Sequence, residues 1–449
     1  MEFKDKRIAV LGLARSGKAA AQKLQNLGAE VFISDCKPEK KLEVKQDFLD
    51  KFSYETGGHS EKILQNKLIV VSPGVPSDLE ILEKARRQGV PVWSELELGY
   101  QMVKNSDVKI IAVTGSNGKS TTASLIYHIF KRAGKKVVLA GNIGNPLTGF
   151  SLENEEYEFI ILEVSSFQLQ NITNFKPNIS ILLNLTPDHL NRHGTVDNYY
   201  RVKAKIFSNQ DKADLAILNA DDEEVMKLAY RFPVKKVKYS LKTPINNYVK
   251  YQDDNLKIVD KYRGSEFISK RDLPLTGDHN IGNINAAALA CIYSSLKADQ
   301  IRSGILTFKN LEHRLEPVLD IDYIKFINDS KATNSASVFC AINSFEKPLH
   351  LIMGGSDKDE DFTVLKKSVK EKVKNLIVLG QTAAKLEKIF SDFVPVHKVD
   401  SLKAAVKKAF ELAQAEEVVL LAPGCASFDM FKDFEDRGEQ FKKIVHDLK

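Results

Sequence analysis

Residues Ala112–Thr122 read AVTGSNGKSTT, a Gly-Lys-Ser turn between an apolar strand pattern and a helical one (Ala123–Ala133). In that setting backbone N–H groups cradle a phosphate chain. Gly115 and Gly118 let the backbone turn inward around Ser116 and Asn117. Lys119 can reach terminal phosphates, and Ser120 can offer its hydroxyl to Mg2+. The turn is shorter than G-x-x-x-x-G-K-[ST], because Val113 stands where that pattern has its first glycine. An ordinary strand-to-helix turn with a surface lysine is the plainer alternative.

Three further positions could do chemistry. Glu163 closes a strand pattern, where a carboxylate is costly unless a cation is near; an exposed acid capped by Ser165 is the alternative. His189 sits just after a strand, in the loop Thr186–His193, the ordinary place for a hydrogen-bonded loop histidine. Lys203 is different. In the helical pattern 197–207, Tyr199, Val202, Lys203, Ile206 and Phe207 share one face, while Lys205 falls on another. A lysine in an apolar stripe either snorkels to water or has a depressed pKa and a share of neutral amine. Neutral amine can take up CO₂ to give a carbamate, an oxygen ligand for Mg2+. At the N-terminus GLARSG (12–17) follows a strand and Asp35 ends the next one. This is a weak dinucleotide fingerprint, since Ala14 replaces the middle glycine.

The elements that must position these residues follow a βα rhythm. A chain of 449 residues predicts about three domains at ~150 residues each. A first series has strand patterns at 8–13, 31–34, 68–72 and 90–93. A second has them at 109–114, 136–140, 159–164, 179–185 and 215–219. Near 235–259 the pattern becomes strand, turn, strand, an antiparallel insert on the parallel sheet. After a helix at 283–296, a third series has strands at 323–328, 349–353, 376–379, 394–399 and 418–421. The expectation is an α/β protein of three domains, 1–97, 98–310 and 311–449. The first is a Rossmann-like parallel sheet. The second is a P-loop ATPase-like, mostly parallel sheet with the small antiparallel insert, and the third is again a Rossmann-like α/β domain. The net charge is +6 and the apolar share 43%, which exclude global disorder. No apolar run approaches the ~20 residues of a membrane span, and no aromatic-interleaved basic tract suggests nucleic acid. Four scattered cysteines show no zinc spacing and suit a reducing cytoplasm.

Beyond the phosphate turn, LEVSSFQL (162–169), NLTPDHLNRH (184–193), GDHNIGNINAA (277–287), LEHRLE (311–316) and NDSKATN (328–334) follow one another. In content and order the chain resembles the Mur ligase family and its folylpolyglutamate synthase relatives, essentially from end to end. GGSDK (354–358) and LAPGCASFDMFKDFEDRGEQF (421–441) look most like the D-glutamate-adding branch. The resemblance implies an ATP-dependent, ADP-forming amide ligase of cytoplasmic peptidoglycan-precursor synthesis. Its substrates would be UDP-N-acetylmuramoyl-L-alanine, D-glutamate and ATP, and it would act as a monomer. It implies ATP contacts at Gly115–Thr121, Asn280, Asn283, Arg314 and Asp329. Two Mg2+ sites would draw on Ser120, Glu163, His189 and a carbamylated Lys203, with Lys119, His189 and Lys203 catalytic. The UDP-sugar would meet Arg15, Ser16, Asp35, Lys37, Ser72, Pro73, Gly74, Asn142, Ser165 and Gln168. Lys37 stands where the branch often has arginine. D-glutamate would meet Lys331, Thr333, Lys358, Ser427, Phe428 and Phe434. Another Mur ligase, or a folylpolyglutamate synthase-like amide ligase, with a different amino acid is the nearest alternative. A non-catalytic scaffold and a nicotinamide-dependent dehydrogenase are the alternatives of other classes.

Overall fold

The computed structural model describes residues 3–42, 44–150, 157–243, 245, 247–262, 264–275, 277–357 and 360–448. Its first sheet comprises β1 (Arg7–Leu11), β2 (Glu30–Asp35), β3 (Ser53–Thr56), β4 (Leu68–Val71) and β5 (Val92–Ser94), all parallel, in the order β3-β2-β1-β4-β5. Runs such as Ile8–Leu11 and Leu68–Val71 are buried throughout, as strands covered on both faces must be. β3 is the strand that has no apolar run: SYET lies on the sheet edge, half in solvent.

The second sheet comprises β6 (Lys109–Thr114), β7 (Val137–Gly141), β8 (Phe159–Glu163), β9 (Ile179–Leu182), β10 (Leu215–Asn219) and β11 (Lys235–Tyr239). All six are parallel, in the order β11-β10-β9-β6-β8-β7. This corrects the reading of Lys235 onward as the start of the antiparallel insert. KKVKY pairs parallel with β10 at the edge, where its lysines meet water while Val237 and Tyr239 are buried. The insert is a separate three-stranded antiparallel sheet of β12 (Val249–Gln252), β13 (Asn255–Val259) and β14 (Ser265–Ser269).

The third sheet adds β15 (Glu316–Ile321), β16 (Ile324–Asn328), β17 (Leu349–Gly354), β18 (Val373–Leu379), β19 (Val396–Lys398) and β20 (Val418–Leu421), ordered β15-β16-β20-β17-β18-β19. Only β15 is antiparallel. Its Pro317 lies at a register shift, the tolerated place for a residue with no N–H to donate. By compactness the chain forms two units, 1–271 with 282–306 and 272–281 with 307–449. The first holds the first two sheets and the insert; the second holds the third sheet. The helix expected at 283–296 spans Asp278–Tyr293, and a further helix, Ala298–Leu306, follows it.

Within the first unit, a buried carboxylate joins the first two sections. The helix Glu95–Val103 is capped by Ser94, whose hydroxyl accepts the Glu97 N–H at 3.2 Å. The Glu97 carboxylate accepts the backbone N–H groups of Thr173 (2.9 Å), Asn174 (3.0 Å) and Phe175 (2.9 Å), and the Gln101 amide at 2.6 Å. Charge-assisted bonds out of water are the strong kind, and their loss strands several buried donors. Glu97→Ala should therefore lower the stability of this unit by about 3 kcal/mol, and Glu97→Gln by less because one oxygen still accepts. Urea unfolding reads the difference; equal midpoints for Glu97→Ala and wild type would contradict the role.

Candidate active site

The carboxyl ends of β6, β7, β8 and β9 converge, and each carries part of one site. Open parallel sheets bind ligands at this edge. Glu163 pairs in register with Val113 on one side and Gly141 on the other. The Thr114 hydroxyl donates to the Val164 carbonyl at 2.8 Å, tying the phosphate turn to the strand that bears Glu163. Gly118 starts the helix Lys119–Arg132 in a left-handed conformation (φ 85°). A Cβ there would lie 2.3 Å from Asn283 Oδ1, so glycine is required twice, for conformation and for space.

Two lysines meet on one oxygen of this turn. Lys119 Nζ donates to the Gly115 carbonyl at 2.9 Å and to that of Ser116 at 2.8 Å. Lys203 Nζ donates to the same Gly115 carbonyl at 2.8 Å. The helix Val196–Ala204 and the turn Lys205–Phe207 present Tyr199, Val202, Lys203, Ile206 and Phe207 inward, as their spacing predicts. Lys203 is only 2% exposed, with its amine 4.7 Å from the Tyr199 ring centre. Burial, reinforced by the neighbouring Lys119, pushes its pKa well below that of an ordinary lysine. Snorkelling is thus excluded. Lys205 points elsewhere and donates to the Gln170 carbonyl at 2.7 Å.

Glu163 is 1% exposed. Its Oε1 accepts from Asn142 Nδ2 at 2.8 Å, whereas Oε2 is buried with no hydrogen-bond partner among the described residues. An orphaned carboxylate oxygen beside a hydroxyl-bearing phosphate turn suits a hard cation, which takes oxygen ligands. His189 stands in a left-handed conformation (φ 54°), its Nε2 3.6 Å from Asp188 Oδ2, and keeps part of its ring in solvent. His193 is the buried histidine of this loop. Its Nε2 shares a 3.0 Å hydrogen bond with the Ser166 hydroxyl, and burial with the nearby cations lowers its pKa to about 4.

The sequence did not single out Asn184, which brackets the turn. Its Oδ1 accepts the Asn117 N–H at 2.8 Å and its Nδ2 donates to the Asn117 carbonyl at 3.0 Å. Tyr199 shares a 3.2 Å hydrogen bond with the Ser116 hydroxyl, and that hydroxyl donates to the Thr186 carbonyl at 2.8 Å. Its signals were its place at the end of a strand pattern and at the head of the motif 184–193. Ser165 and Gln168 form a reciprocal cap on the helix Ser166–Gln170.

At the carboxyl edge of the first sheet, Gly12 is left-handed (φ 81°) and a Cβ on Gly17 would lie 1.8 Å from the Gly12 carbonyl oxygen. Ser72 donates its hydroxyl to that same oxygen at 2.6 Å. Asp35 accepts the backbone N–H groups of Leu13 (2.6 Å) and Lys37 (2.8 Å), so it shapes the GLARSG turn directly. Arg15 donates to the Asn142 carbonyl at 3.1 Å. The structure thus brings Arg15 to Asn142, and Asp35 to the backbone of Lys37.

In the second unit, Lys331, Thr333, Ser427 and Phe428 follow the carboxyl ends of β16 and β20. The loop Gly354–Ser356 follows β17 beside them, with the Ser356 N–H donating to the Ala426 carbonyl at 2.9 Å. Lys331 Nζ lies 5.3 Å from the Phe434 ring centre, and Phe428 is 74% exposed. Lys358 lies outside the described residues. Arg437 supports the floor, donating to the Ser330 and Cys425 carbonyls. Arg314 has a buried Nε with no partner among the described residues. Burial raises the pKa of Asp329 to about 6, against the pull of Arg314, and lowers that of His279 to about 4. Asn280 is buried in this unit, and Asn283 in the first.

Comparison with known proteins finds one family along the chain. Three family models match: the MurD N-terminal domain at residues 7–81, the Mur ligase middle domain at 113–291 and the Mur ligase glutamate ligase domain at 313–425. A UDP-N-acetylmuramoylalanine–D-glutamate ligase from Koribacter versatilis is 42% identical, over all of this chain and 99% of its own length. Ligases of the same name from Caldanaerobacter subterraneus and Clostridioides difficile are 41% and 38% identical, over all of both chains. Among solved structures, the MurF ligase of Thermotoga maritima in complex with ADP shares the fold, with a TM-score of 0.64 at 15% identity, over 100% of this chain and 97% of its own. The UDP-N-acetylmuramate–alanine ligase of the same organism gives 0.59 at 19%, over 99% and 100%. The chain belongs to the Mur ligase family, in the branch of the UDP-N-acetylmuramoylalanine–D-glutamate ligases.

Proposed function

We propose that the chain joins D-glutamate to UDP-N-acetylmuramoyl-L-alanine with ATP, in peptidoglycan-precursor synthesis. The alanine carboxylate attacks the γ-phosphorus of ATP, giving an acyl phosphate and ADP. The D-glutamate amine then attacks the acyl carbon, phosphate leaves, and the amine proton passes to solvent. The observation that carries this is the pair of lysines on Gly115 beside the orphaned Glu163 oxygen. Lys119 can leave its two carbonyls for the phosphates; since Asn184 already holds the Ser116 and Asn117 N–H groups, the phosphates would lie at the start of the helix Lys119–Arg132. Lys203, its pKa pushed down by burial, can as the neutral amine bond its nitrogen to CO₂ and release a proton, leaving a carbamate. Ser120, Glu163, His189 and that carbamate would hold magnesium at two sites. Bound there, the metal neutralises charge developing on the phosphoryl oxygens. Asn280, Asn283, Arg314 and Asp329 would hold the nucleoside of ATP.

The first section, 1–97, would take the UDP-sugar through Arg15, Ser16, Asp35, Lys37 and the loop Ser72–Gly74. Asn142, Ser165 and Gln168 would serve its peptide end. The section 98–310 would activate the carboxylate. The section 311–449 would hold D-glutamate through Lys331, Thr333, Lys358, Ser427, Phe428 and Phe434. Nucleotide-linked precursors are cytoplasmic, so we place the enzyme there, acting as a monomer.

Phosphate release with the UDP-sugar-alanine and ATP should be fastest with D-glutamate when it is compared with L-glutamate, L-lysine and diaminopimelate. Faster turnover with either diamino acid would reject the assignment. Lys358→Ala should raise the D-glutamate KM about 10- to 150-fold, the worth of one charge-assisted bond, and leave ATP binding intact.

Lys203→Ala should fold and bind ATP, yet lose turnover by about two orders of magnitude or more. Added acetate should restore part of it by filling the vacated oxygen-ligand position, and should do nothing for Lys205→Ala, which stays active. Full activity of Lys203→Ala would remove the carbamate from the mechanism.

A further inference from the structure

Arg192 lies three residues after His189, in the short turn Leu190–His193, and its guanidinium reaches the first sheet. Nη1 donates to the Gly74 carbonyl at 3.0 Å. Nη2 donates to the carbonyls of Pro73, at 3.2 Å, and Val75. The guanidinium carbon stands 5.2 Å from the centre of the Phe167 ring. That ring also lies 4.9 Å from the His189 ring, and it stacks on His193 at 5.5 Å with 3° between the planes. One aromatic surface therefore touches the loop clamp and both histidines.

We propose that Arg192 is a positioning residue that shapes the 73–75 loop to grip the pyrophosphate of the UDP-sugar and ties that loop to the turn bearing His189. The proposal rests on the reading that a UDP-sugar occupies the carboxyl edge of the first sheet. In a trans peptide the C=O and N–H point opposite ways. Fixing the Pro73 carbonyl on Nη2 therefore turns the Gly74 N–H away from the guanidinium. A Cβ at Gly74 would meet nothing within 4 Å, so this glycine borders open space where an anion can approach. The Val75 N–H donates to the Ser72 carbonyl at 3.0 Å and closes the turn. Only a planar fork can serve three carbonyls while its face rests on an aromatic ring; an ammonium group has donors but no such plane.

The test measures UDP and uridine binding by ligand-observed NMR on the whole chain, without ATP, for wild type, Arg192→Ala and Arg192→Lys. Arg192→Ala should weaken UDP about tenfold or more and leave uridine within about twofold, because uridine has no phosphate to grip. Arg192→Lys should fall between. In turnover, the KM for the UDP-sugar-alanine should rise in the same order, while those for ATP and D-glutamate hold. A general structural lesion would instead lower kcat through the active fraction, or weaken UDP and uridine alike; either pattern overturns the proposal. Should Arg192→Ala not fold, Arg192→Gln is read by the same criteria. Wild type that binds no UDP overturns the proposal together with the reading beneath it. Wild type that binds UDP no better than Arg192→Ala overturns the positioning role alone.

Discussion

One carbonyl oxygen, that of Gly115, accepts from two lysines, and much of the site follows from this. Two ammonium groups that share one acceptor disfavour each other. Lys203 is fully enclosed and Lys119 is not, and burial together with the neighbouring Lys119 pushes the Lys203 pKa well below that of an ordinary lysine. Tyr199 touches both parts of the arrangement, lying under the Lys203 amine and sharing a hydrogen bond with the Ser116 hydroxyl. Gly115 itself leaves no room for alternatives: its φ is 150°, and a Cβ would stand 3.0 Å from that of Leu183.

That arrangement needs neighbours which the parallel sheet provides at one edge. β6 ends in the phosphate turn, β8 in Glu163, β7 in the Asn142 loop and β9 in the segment with Asn184 and His189. Adjacent strands fix these groups laterally through backbone pairing, so the site's precision derives from the sheet. The antiparallel insert is a sheet of its own. It can therefore vary without disturbing the register of β6 to β9.

How far the sequence could be read depended on whether a signal was local. The phosphate turn and the Lys203 face were legible because a turn and a helical period are set by neighbours in the chain. Buried strands were legible as apolar runs, and the resemblance to relatives supplied the order of the motifs. Two edge strands were not: SYET and EPVLDI are only partly buried and offer no apolar run, while KKVKY was read as a strand but given antiparallel instead of parallel partners. The contacts of Asn184, Glu97 and Arg192 were equally silent, because each acts on backbone far away in sequence. Nothing beside Glu97 in the chain announces that its oxygens will hold Thr173–Phe175.

The missing first glycine of the phosphate turn has a structural counterpart in Asn184. In a longer loop, an extra glycine lets the backbone wrap further around the phosphates. Here Val113 remains in β6, paired with Glu163, and the turn must complete itself in fewer residues. Gly118 supplies the left-handed step, against Asn283. Asn184 then holds both the N–H and the carbonyl of Asn117, acting as a two-ended clamp. Being a side chain from the end of β9, that clamp joins the phosphate turn to the segment that continues to His189. A shortened loop thus exchanges backbone freedom for attachment, and the attachment leads toward the loop that Arg192 anchors. The carboxyl edges of the second and first sheets are thereby linked through a few side chains, Asn184 and Arg192 among them.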